Sequence, residues 1–599
     1  MTIFAFLRPF LPSPSSPIGS WTYNGHNLTD SSYASFASPL QERLQGFDPR
    51  KVPVFRFDLV VVGAGAGGAS AALAAAEQGL SVAVLVKTEL RATNTNEAKG
   101  GMAAVLAEND SFDLHTADTL EVGCGLSDAS VVETVVRGGP AAVDMLHSFG
   151  AQFDVNPGGD LHLSREGGHS RPRIFHAGDA TGLVIQKSLA ETLEAHPGVT
   201  VFPNHFAVDL LRGPTGRVDG ILALREGTGR RFDPAKPPPH VAFAAGHVLL
   251  ATGGAGQLYR ETTNPGIATG DGVALGLRAG AVTRDMEFFQ FHPTCLYIAG
   301  AARVLISEVV RGAGGLLVDK DGRRFMQDAH KDAELAPRDV VSRACFERMV
   351  ATEDTSVYLD LSEIEGDPHV LFPGVARTCS LFGIDIATDP VPVRPGAHYM
   401  VGGLKVDVDG RTSVPGLLAV GECASSGLHG ANRMGSNSLL EGIVLGRRSG
   451  LMAAATGAPI PSLESSGPQD TGLDAPYIGI NLEDVTYSLK SLMWRQLGIK
   501  RDEASMVDAI SKIELWTRAV QDLTAPGVRS LELLNMLTVA RLVAQGALAR
   551  KESRGVHYRT DFSAPDPAWR VHNELTPTIE AGKITGLTVT ATPANELTT

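Results

Sequence analysis

Only five cysteines occur in 599 residues, and none of Cys124, Cys295, Cys345, Cys379 and Cys423 stands in a CxxC pair. Scattered and odd in number, they exclude a disulfide framework, a zinc site and a cysteine-held iron–sulfur cluster, and they fit a reducing compartment. No metal site is expected. Positive charge is also in short supply: 52 Lys and Arg against 66 Asp and Glu leave a net −14, spread thinly. That excludes a nucleic-acid surface and a polybasic membrane anchor, so any site for an anion must be local. Long apolar runs are rare too. Residues 59–76, apolar or small except for Ser70, are long enough to suggest a membrane span, but their glycine cluster has a better explanation. No internal repeat is found. What the chain does have is 43% hydrophobic residues, enough at this length for a large core and more than one domain.

Residues 1–52, with LPSPSSP at 11–17 and many Ser and Asn, lack periodicity and read as a poorly ordered extension. Arg8, with no acid before Asp30, admits an organelle transit peptide, but the arginine content is too low to favour it over a cytoplasmic protein. Regular structure begins at FDLVVVGAGAGG. A strand over 57–62, a helix from about 67 to 78 and a second strand over 81–86 make a β-α-β unit. After the proline-rich PAKPPPH at 234–240, an apolar strand is expected over 247–254, and LLAVGE at 417–422 reads as another far downstream. Buried strands separated by helices imply an α/β sheet with other material inserted. Beyond a Pro/Ser/Gly-rich linker at 458–476, residues 485–550 are apolar at helical spacing and predict a C-terminal helical domain. The last forty residues, rich in Thr, Pro and Ala, receive no assignment.

Gly63, Gly65 and Gly68 form a GxGxxG turn. The first glycine permits the bend, the second lets the backbone approach a pyrophosphate, and the third lets helix and strand pack closely. The phosphates would sit on free amides at the helix start, where the helix dipole favours negative charge. Such turns serve NAD, NADP and FAD alike and also occur for steric reasons, but here a strand precedes and a helix follows. The acid that usually holds the adenosine ribose would close the second strand, where this chain has Val86-Lys87-Thr88.

Further segments carry a resemblance. They are TNTNEAKGGMAAVL from Thr93, LHLSREGGHS from Leu161, QFHPT from Gln290, LISEVVRG from Leu305, ELAPRD from Glu334, AHY from Ala397 and GLHGANRMGSNSLLEG from Gly427, with WRQLGI from Trp494 and RKESRGVHY from Arg550. In this order they resemble the succinate dehydrogenase and fumarate reductase flavoprotein family over 57–561, and most closely its L-aspartate-oxidising members. The resemblance implies an α/β fold. A Rossmann-like FAD-binding domain in two segments (53–285 and 401–460) would enclose an inserted α+β capping domain (286–400), followed by a C-terminal helical domain (480–555) and a tail (556–599). It implies FAD contacts from Lys87, Asn94, Thr95, Gly100 and Gly101, from Ala251 and Gly253, from Glu422 to the ribityl hydroxyls, and from Ser438 and Leu439 near the isoalloxazine. Respiratory members bond covalently to the flavin through a histidine. The matching residue here is Asn94, so the FAD is expected to be non-covalent. Lys99 stands where members usually have glutamine and Glu97 where tyrosine or alanine is common; both bear on flavin potential or reactivity with oxygen.

A dicarboxylate needs cations or donors at both ends, and the guanidinium fork suits a carboxylate best, which makes Arg433 and Arg338 candidates. By resemblance Arg433 clamps one carboxylate with help from His398, while His292 and Ser307 bind the other; the family usually has threonine in place of Ser307. Arg338, after Pro337 at a helix start, would move the proton as hydride passes to flavin N5. A guanidinium with a pKa above about 12 is a poor base, so a relay is required, and Glu308 is a natural member. Glu166 in REGGHS separates substrates. A buried carboxylate can pair with the α-ammonium of L-aspartate, which succinate lacks. The respiratory members lack this glutamate.

Plainer readings stand beside these. His292 and His398 suit structural hydrogen bonding, Arg338 a helix-terminal pair with Asp339, Glu166 a surface pair with Arg165 or Arg171, Glu422 a solvated turn, and Cys423 inert packing. The motif settings favour function for all but the cysteine. The expected activity is oxidation of L-aspartate to iminoaspartate, with oxygen or fumarate as acceptor, at the start of NAD biosynthesis and upstream of a quinolinate synthase. Two alternatives stay open: the flavoprotein subunit of a succinate dehydrogenase or fumarate reductase, opposed by Asn94 and Glu166, and a catalytically silent flavin-binding subunit, opposed by intact Arg338, Arg433, His292 and His398.

Overall fold

A computed structural model of the chain describes residues 32–44, 48, 51–225, 240–301, 303–463, 480–523 and 527–594. The 11–17 segment, 234–239 and the 464–476 part of the linker lie outside them. The apolar run that precedes the glycine turn makes Val54–Val62 a central strand, with Leu59, Val60 and Val61 wholly buried, as in a parallel strand covered on both faces. It pairs in parallel with Val82–Leu85 and His240–Leu250, and Val199–Phe202 extends the sheet beyond Val82–Leu85. His240–Leu250 changes partners along its length. Its start runs antiparallel to Val218–Arg225, while Val248, Leu249 and Leu250 pair in parallel with Leu417–Ala419, the strand that returns from far downstream. Strand structure there stops at Ala419, short of 422, because Gly421–Cys423 coils into a 3-10 turn.

Helix Ala66–Glu77 is almost entirely small residues and lies against helix Asn437–Thr456. A Cβ on Gly446 or Gly450 would strike the carbonyls of Gly67 and Ala71, so the two backbones touch. The run at 59–76 is therefore a buried strand followed by a core helix. Among the described residues one helix, Val528–Ala549, is long and apolar enough to cross a membrane, and 94% of its most apolar window is buried inside the protein.

A four-stranded antiparallel sheet, Phe289–Leu296, Val391–Met400, Val357–Asp360 and Leu316–Val318, carries helix Arg338–Ala351 against its first strand. Helices Leu482–Gln496, Glu503–Leu523 and Val528–Ala549 make the C-terminal helical domain.

The chain ends correct the sequence reading. Ser32–Gln41, inside the extension expected to be poorly ordered, is a strand paired antiparallel with Lys583–Pro593, which in turn pairs with Val571–Glu580. Ala34, Phe36, Ser38 and Leu40 are buried while Ser35 and Ala37 are exposed, a period of two written mostly in small residues. The Arg541 guanidinium covers Phe36 at 4.2 Å from the ring centre. The unassigned tail forms the hairpin of this sheet, its strands rich in β-branched Val, Ile and Thr.

Candidate active site

A long cleft opens at the C-terminal ends of the parallel strands, the usual place for a ligand in an open α/β sheet. Gly63, Lys87, Ala251 and Gly253 line it just beyond the strand ends. Gly63 has φ +102°, and a Cβ there would collide with the Ala251 carbonyl; a Cβ on Gly68 would collide with the carbonyl of Gly63. Only glycine permits this turn. Helix Ala66–Glu77 begins at Gly65 without a side-chain cap, and Thr95 Oγ1 accepts from the Ala66 amide at 3.0 Å. The remaining amides of the first turn have no partner within the helix. A glycine-walled cradle of bare amides fits the pyrophosphate of a dinucleotide.

At one end of the cleft Lys87 Nζ donates to Asp271 at 2.9 Å and the Thr269 hydroxyl at 2.8 Å, and pairs with Glu532 at 2.5 Å. Burial opposes the ammonium, but Asp271 and Glu532 outweigh it and hold its pKa above the usual range. Asp271, the first residue of helix Asp271–Arg278, also lines the cleft at this end.

Midway, Glu422 accepts from Asn94 Nδ2 at 2.9 Å and from the Met400 amide at 2.9 Å, and burial raises its pKa. It is no solvated turn residue. Asn94 Oδ1 is buried without a partner. Glu97 lines the cleft beside it, and nothing in the structure explains Lys99. Gly100 and Gly101 are not among the lining residues. A Cβ on Gly100 would lie 3.2 Å from Glu166 Oε1, and Gly101 abuts strand Ile174–Phe175.

Ser438, Leu439, His398 and Arg433 line the far end, next to a cluster of buried charges. Arg433 donates from Nε to Ser438 Oγ at 2.6 Å and sits 5.1 Å from the Tyr399 ring centre, while its Nη1 is buried without a partner. Burial, followed by repulsion from Arg338, pushes its pKa down to about 10. His398 Nδ1 meets the Thr263 hydroxyl at 3.0 Å, and the His292 ring centre lies 5.2 Å from that of His398. Burial and then Arg338 push both imidazoles well below their usual pKa, so both are neutral. The Thr294 amide donates to His292 Nδ1 at 3.3 Å, which leaves the proton on Nε2.

Arg338 opens its helix after Pro337 but makes no pair with Asp339, which accepts from Asn432 instead. Its Nε donates to Glu308 Oε2 at 2.8 Å and its Nη1 to Gln290 Oε1 at 3.3 Å. Ser307 caps the short helix Glu308–Gly312, its hydroxyl accepting from the Val309 amide at 3.4 Å. Burial opposes the Glu308 charge, yet Arg338 and Arg311 hold its pKa below the usual range. Glu166 goes the other way. Burial, then the Glu308 carboxylate, raise its pKa; it is 5% exposed and its Oε2 accepts from Ser436 Oγ at 2.7 Å. The surface pair with Arg165 does not form, since Arg165 Nε donates to the His169 carbonyl.

Four residues of this end escaped the sequence reading: Gln290, Arg311, Tyr399 and Ser436. Gln290 bridges Arg338 and the Arg433 carbonyl, the latter at 2.7 Å, and Arg311 lies 3.7 Å from Glu308. All four stand inside the quoted motifs, where adjacency was the only signal.

Residues 58–439 match the model of the FAD binding domain family, and 486–594 the model described as fumarate reductase flavoprotein C-term. The L-aspartate oxidase of Synechocystis is 40% identical over 548 residues, which cover 87% of this chain and 97% of that protein. That of Streptomyces coelicolor is 41% identical over 86% of this chain and 90% of its own, and the chloroplastic L-aspartate oxidase of Arabidopsis thaliana 40% over 87% and 83%. The chain belongs to the L-aspartate oxidase family. Its fold extends to respiratory flavoproteins. FrdA of E. coli quinol fumarate reductase has a TM-score of 0.82 at 33% identity, covering 92% of this chain and 98% of that one; Mycobacterium smegmatis Sdh1 has 0.77 at 32%, covering 91% and 95%. Family membership makes this protein an FAD-dependent oxidoreductase.

Proposed function

We propose that this protein oxidises L-aspartate to iminoaspartate, the first step of de novo NAD biosynthesis. The observation that carries this reading is Glu166. A buried carboxylate beside the charged Glu308, with no ion-pair partner among the described residues, is costly until a cation arrives. The α-ammonium of L-aspartate is such a cation, and succinate offers none.

The other groups fit that substrate. Arg433 turns its bare Nη1 to one carboxylate with His398 beside it, and His292 and Ser307 take the other. Arg338, aimed by Glu308 and Gln290, removes the proton, and the Glu308–Arg311 contact extends a path for it away from the site. FAD, when bound, accepts the hydride. Asn94 has no ring nitrogen with which to attach the flavin, so Gly63, Gly65, Gly68, Lys87, Thr95, Ala251, Gly253, Glu422, Ser438 and Leu439 serve a non-covalent cofactor. We assign 53–285 and 401–460 to FAD binding, 286–400 to a cap and 480–555 to the helical domain. Oxygen or fumarate takes the electrons, and a quinolinate synthase consumes the imine before water hydrolyses it. The scattered free thiols suit the cytoplasm.

The test is flavin bleaching without oxygen. L-Aspartate should bleach the FAD and succinate should not; bleaching by succinate alone would make the protein a succinate-oxidising subunit, and bleaching by neither a silent one. Glu166→Gln should raise the KM for L-aspartate by about tenfold or more, with far less change in succinate inhibition. Equal changes would remove Glu166 from substrate recognition.

A further inference from the structure

We propose that His169 is a positioning residue that fixes Glu166 for the substrate ammonium, with Arg173 setting its tautomer; this rests on the assignment of Glu166 above. His169 is 1% exposed, its Nδ1 lies 3.2 Å from Arg173 Nη1, and its Nε2 lies 3.1 Å from the Gly435 carbonyl oxygen. A guanidinium cannot accept and a carbonyl cannot donate. Nδ1 is therefore the acceptor, and Nε2 carries the hydrogen and donates it to Gly435. Arg173 cannot turn away. It is fully buried, forks onto Asp110 through Nε and Nη2 at 2.8 Å each, and reaches Asp118 through Nη1 at 2.5 Å. Asp118 Oδ2 also accepts from the amide and hydroxyl of Ser170, both at 2.8 Å. One arginine and one carboxylate thus hold the end of the REGGHS loop.

The effect reaches the substrate side through Gly435. A Cβ on Gly435 would lie 2.7 Å from Glu166 Oε2 and 3.0 Å from Arg338 Nη2, which places this residue between the two groups. The next residue, Ser436, holds Glu166 with its hydroxyl and has φ +61°, a left-handed conformation that a serine keeps only when its surroundings impose it. The His169–Gly435 hydrogen bond fixes the preceding peptide and so supplies part of that restraint. Arg338 is held by Glu308 and Gln290 and is tied to the REGGHS loop only through the Gly167 amide, which donates to Glu308 Oε1 at 3.1 Å, so losing His169 displaces Glu166 more than the proton-moving arginine.

The test uses the FAD-loaded enzyme. His169→Phe fills the space without a donor, whereas the side-chain amide of His169→Gln can donate from near the Nε2 position. His169→Phe should raise the KM for L-aspartate about tenfold, with kcat and the inhibition constant of succinate within about twofold, and His169→Gln should recover most of the KM. Parallel losses toward L-aspartate and succinate, or a glutamine variant as impaired as the phenylalanine one, would overturn the proposal and leave His169 as packing. Nitrogen-15 NMR of the unmodified enzyme reads the same geometry without turnover. A protonated Nε2 with a bare Nδ1 is expected, and the opposite tautomer or an imidazolium overturns the proposal even if a variant fails to fold. If Glu166→Gln leaves the L-aspartate KM unchanged while the tautomer is as expected, the assignment of Glu166 is what fails.

Discussion

Arg550, beneath the C-terminal hairpin, and Arg433, at the substrate end of the cleft, both carry a charge into the protein, and their surroundings answer it differently. Arg550 is wholly buried, and each of its three side-chain nitrogens has a partner. Nε meets Glu287 at 2.7 Å, Nη1 meets Glu552 and the Trp569 carbonyl at 3.0 Å each, and Nη2 meets the Val571 carbonyl at 2.8 Å. Burial opposes its charge, yet Glu287 and Asp285 raise its pKa above the usual value. Arg433 has one side-chain partner, a bare Nη1 and a pKa pushed down to about 10. A buried charge with all its bonds made holds the fold together. One left short of bonds waits for a ligand, and Glu166 is its acidic counterpart.

Removing each side chain should produce opposite deficits. Arg550→Met strands Glu287 without its cation, while Glu552 keeps Arg554, and breaking a buried pair in this way costs about 3–5 kcal/mol. Urea unfolding followed by tryptophan fluorescence should show that loss, with L-aspartate affinity unchanged in the protein that remains folded. Arg433→Met removes an underpaired charge, so stability should stay within about 1 kcal/mol while affinity for L-aspartate and succinate falls roughly a hundredfold through the loss of charge-assisted hydrogen bonds. If Arg433→Met unfolds the protein and Arg550→Met spares it, the contrast is reversed.

The two regions also differ in how legible they were. The glycine turn could be read because its three glycines stand together in the sequence between a strand and a helix; of their close approaches only that of Gly68 to the Gly63 carbonyl is local, while Gly63 meets the Ala251 carbonyl and Gly65 the Thr95 hydroxyl. The substrate end was legible through motifs, since Arg338, Glu308, His292, His398 and Arg433 come from separate segments that periodicity does not connect. Partners across long separations stayed hidden. Nothing near Lys87 announces Glu532, and nothing near Arg433 announces that Gln290 supports its carbonyl. Ser32–Gln41 was missed because Ala34 and Ser38 bury their faces without looking hydrophobic, and its partner strand is at the other end of the chain.

A smaller effect sharpens the structural side of the comparison. His572 Nδ1 sits 2.5 Å from Asp285 Oδ2, and although burial opposes protonation, Asp285 raises the imidazole pKa to about 9. An unfolded histidine titrates near 6.5, so the stability contributed by this charge is complete below about pH 6.5 and lost as pH rises through about 9, a change on the order of 3 kcal/mol. The urea midpoint should fall between about pH 7 and 9.5, and His572→Gln should abolish most of that fall. A variant that keeps the full alkaline loss would show that His572 is not the group responsible.

On the functional side the same alkaline range should be read in affinity. Succinate is the better probe, because the ammonium of L-aspartate titrates in this region and would mask the enzyme. Protonated Arg433 binds the carboxylate, so the succinate inhibition constant should be flat at lower pH and rise as Arg433 loses its proton above about 10, approaching tenfold per pH unit. His292 and His398 are neutral already, so no limb should appear between about pH 6 and 8. Since loss of the His572 charge loosens the fold from about pH 9, binding must be followed within milliseconds of a pH jump, before unfolding intervenes. A limb near 6.5 would mean that an imidazole in the free site is charged. A constant that stays flat to about pH 11 would mean that Arg433 is held as firmly as Arg550, and the difference between the two arginines would vanish.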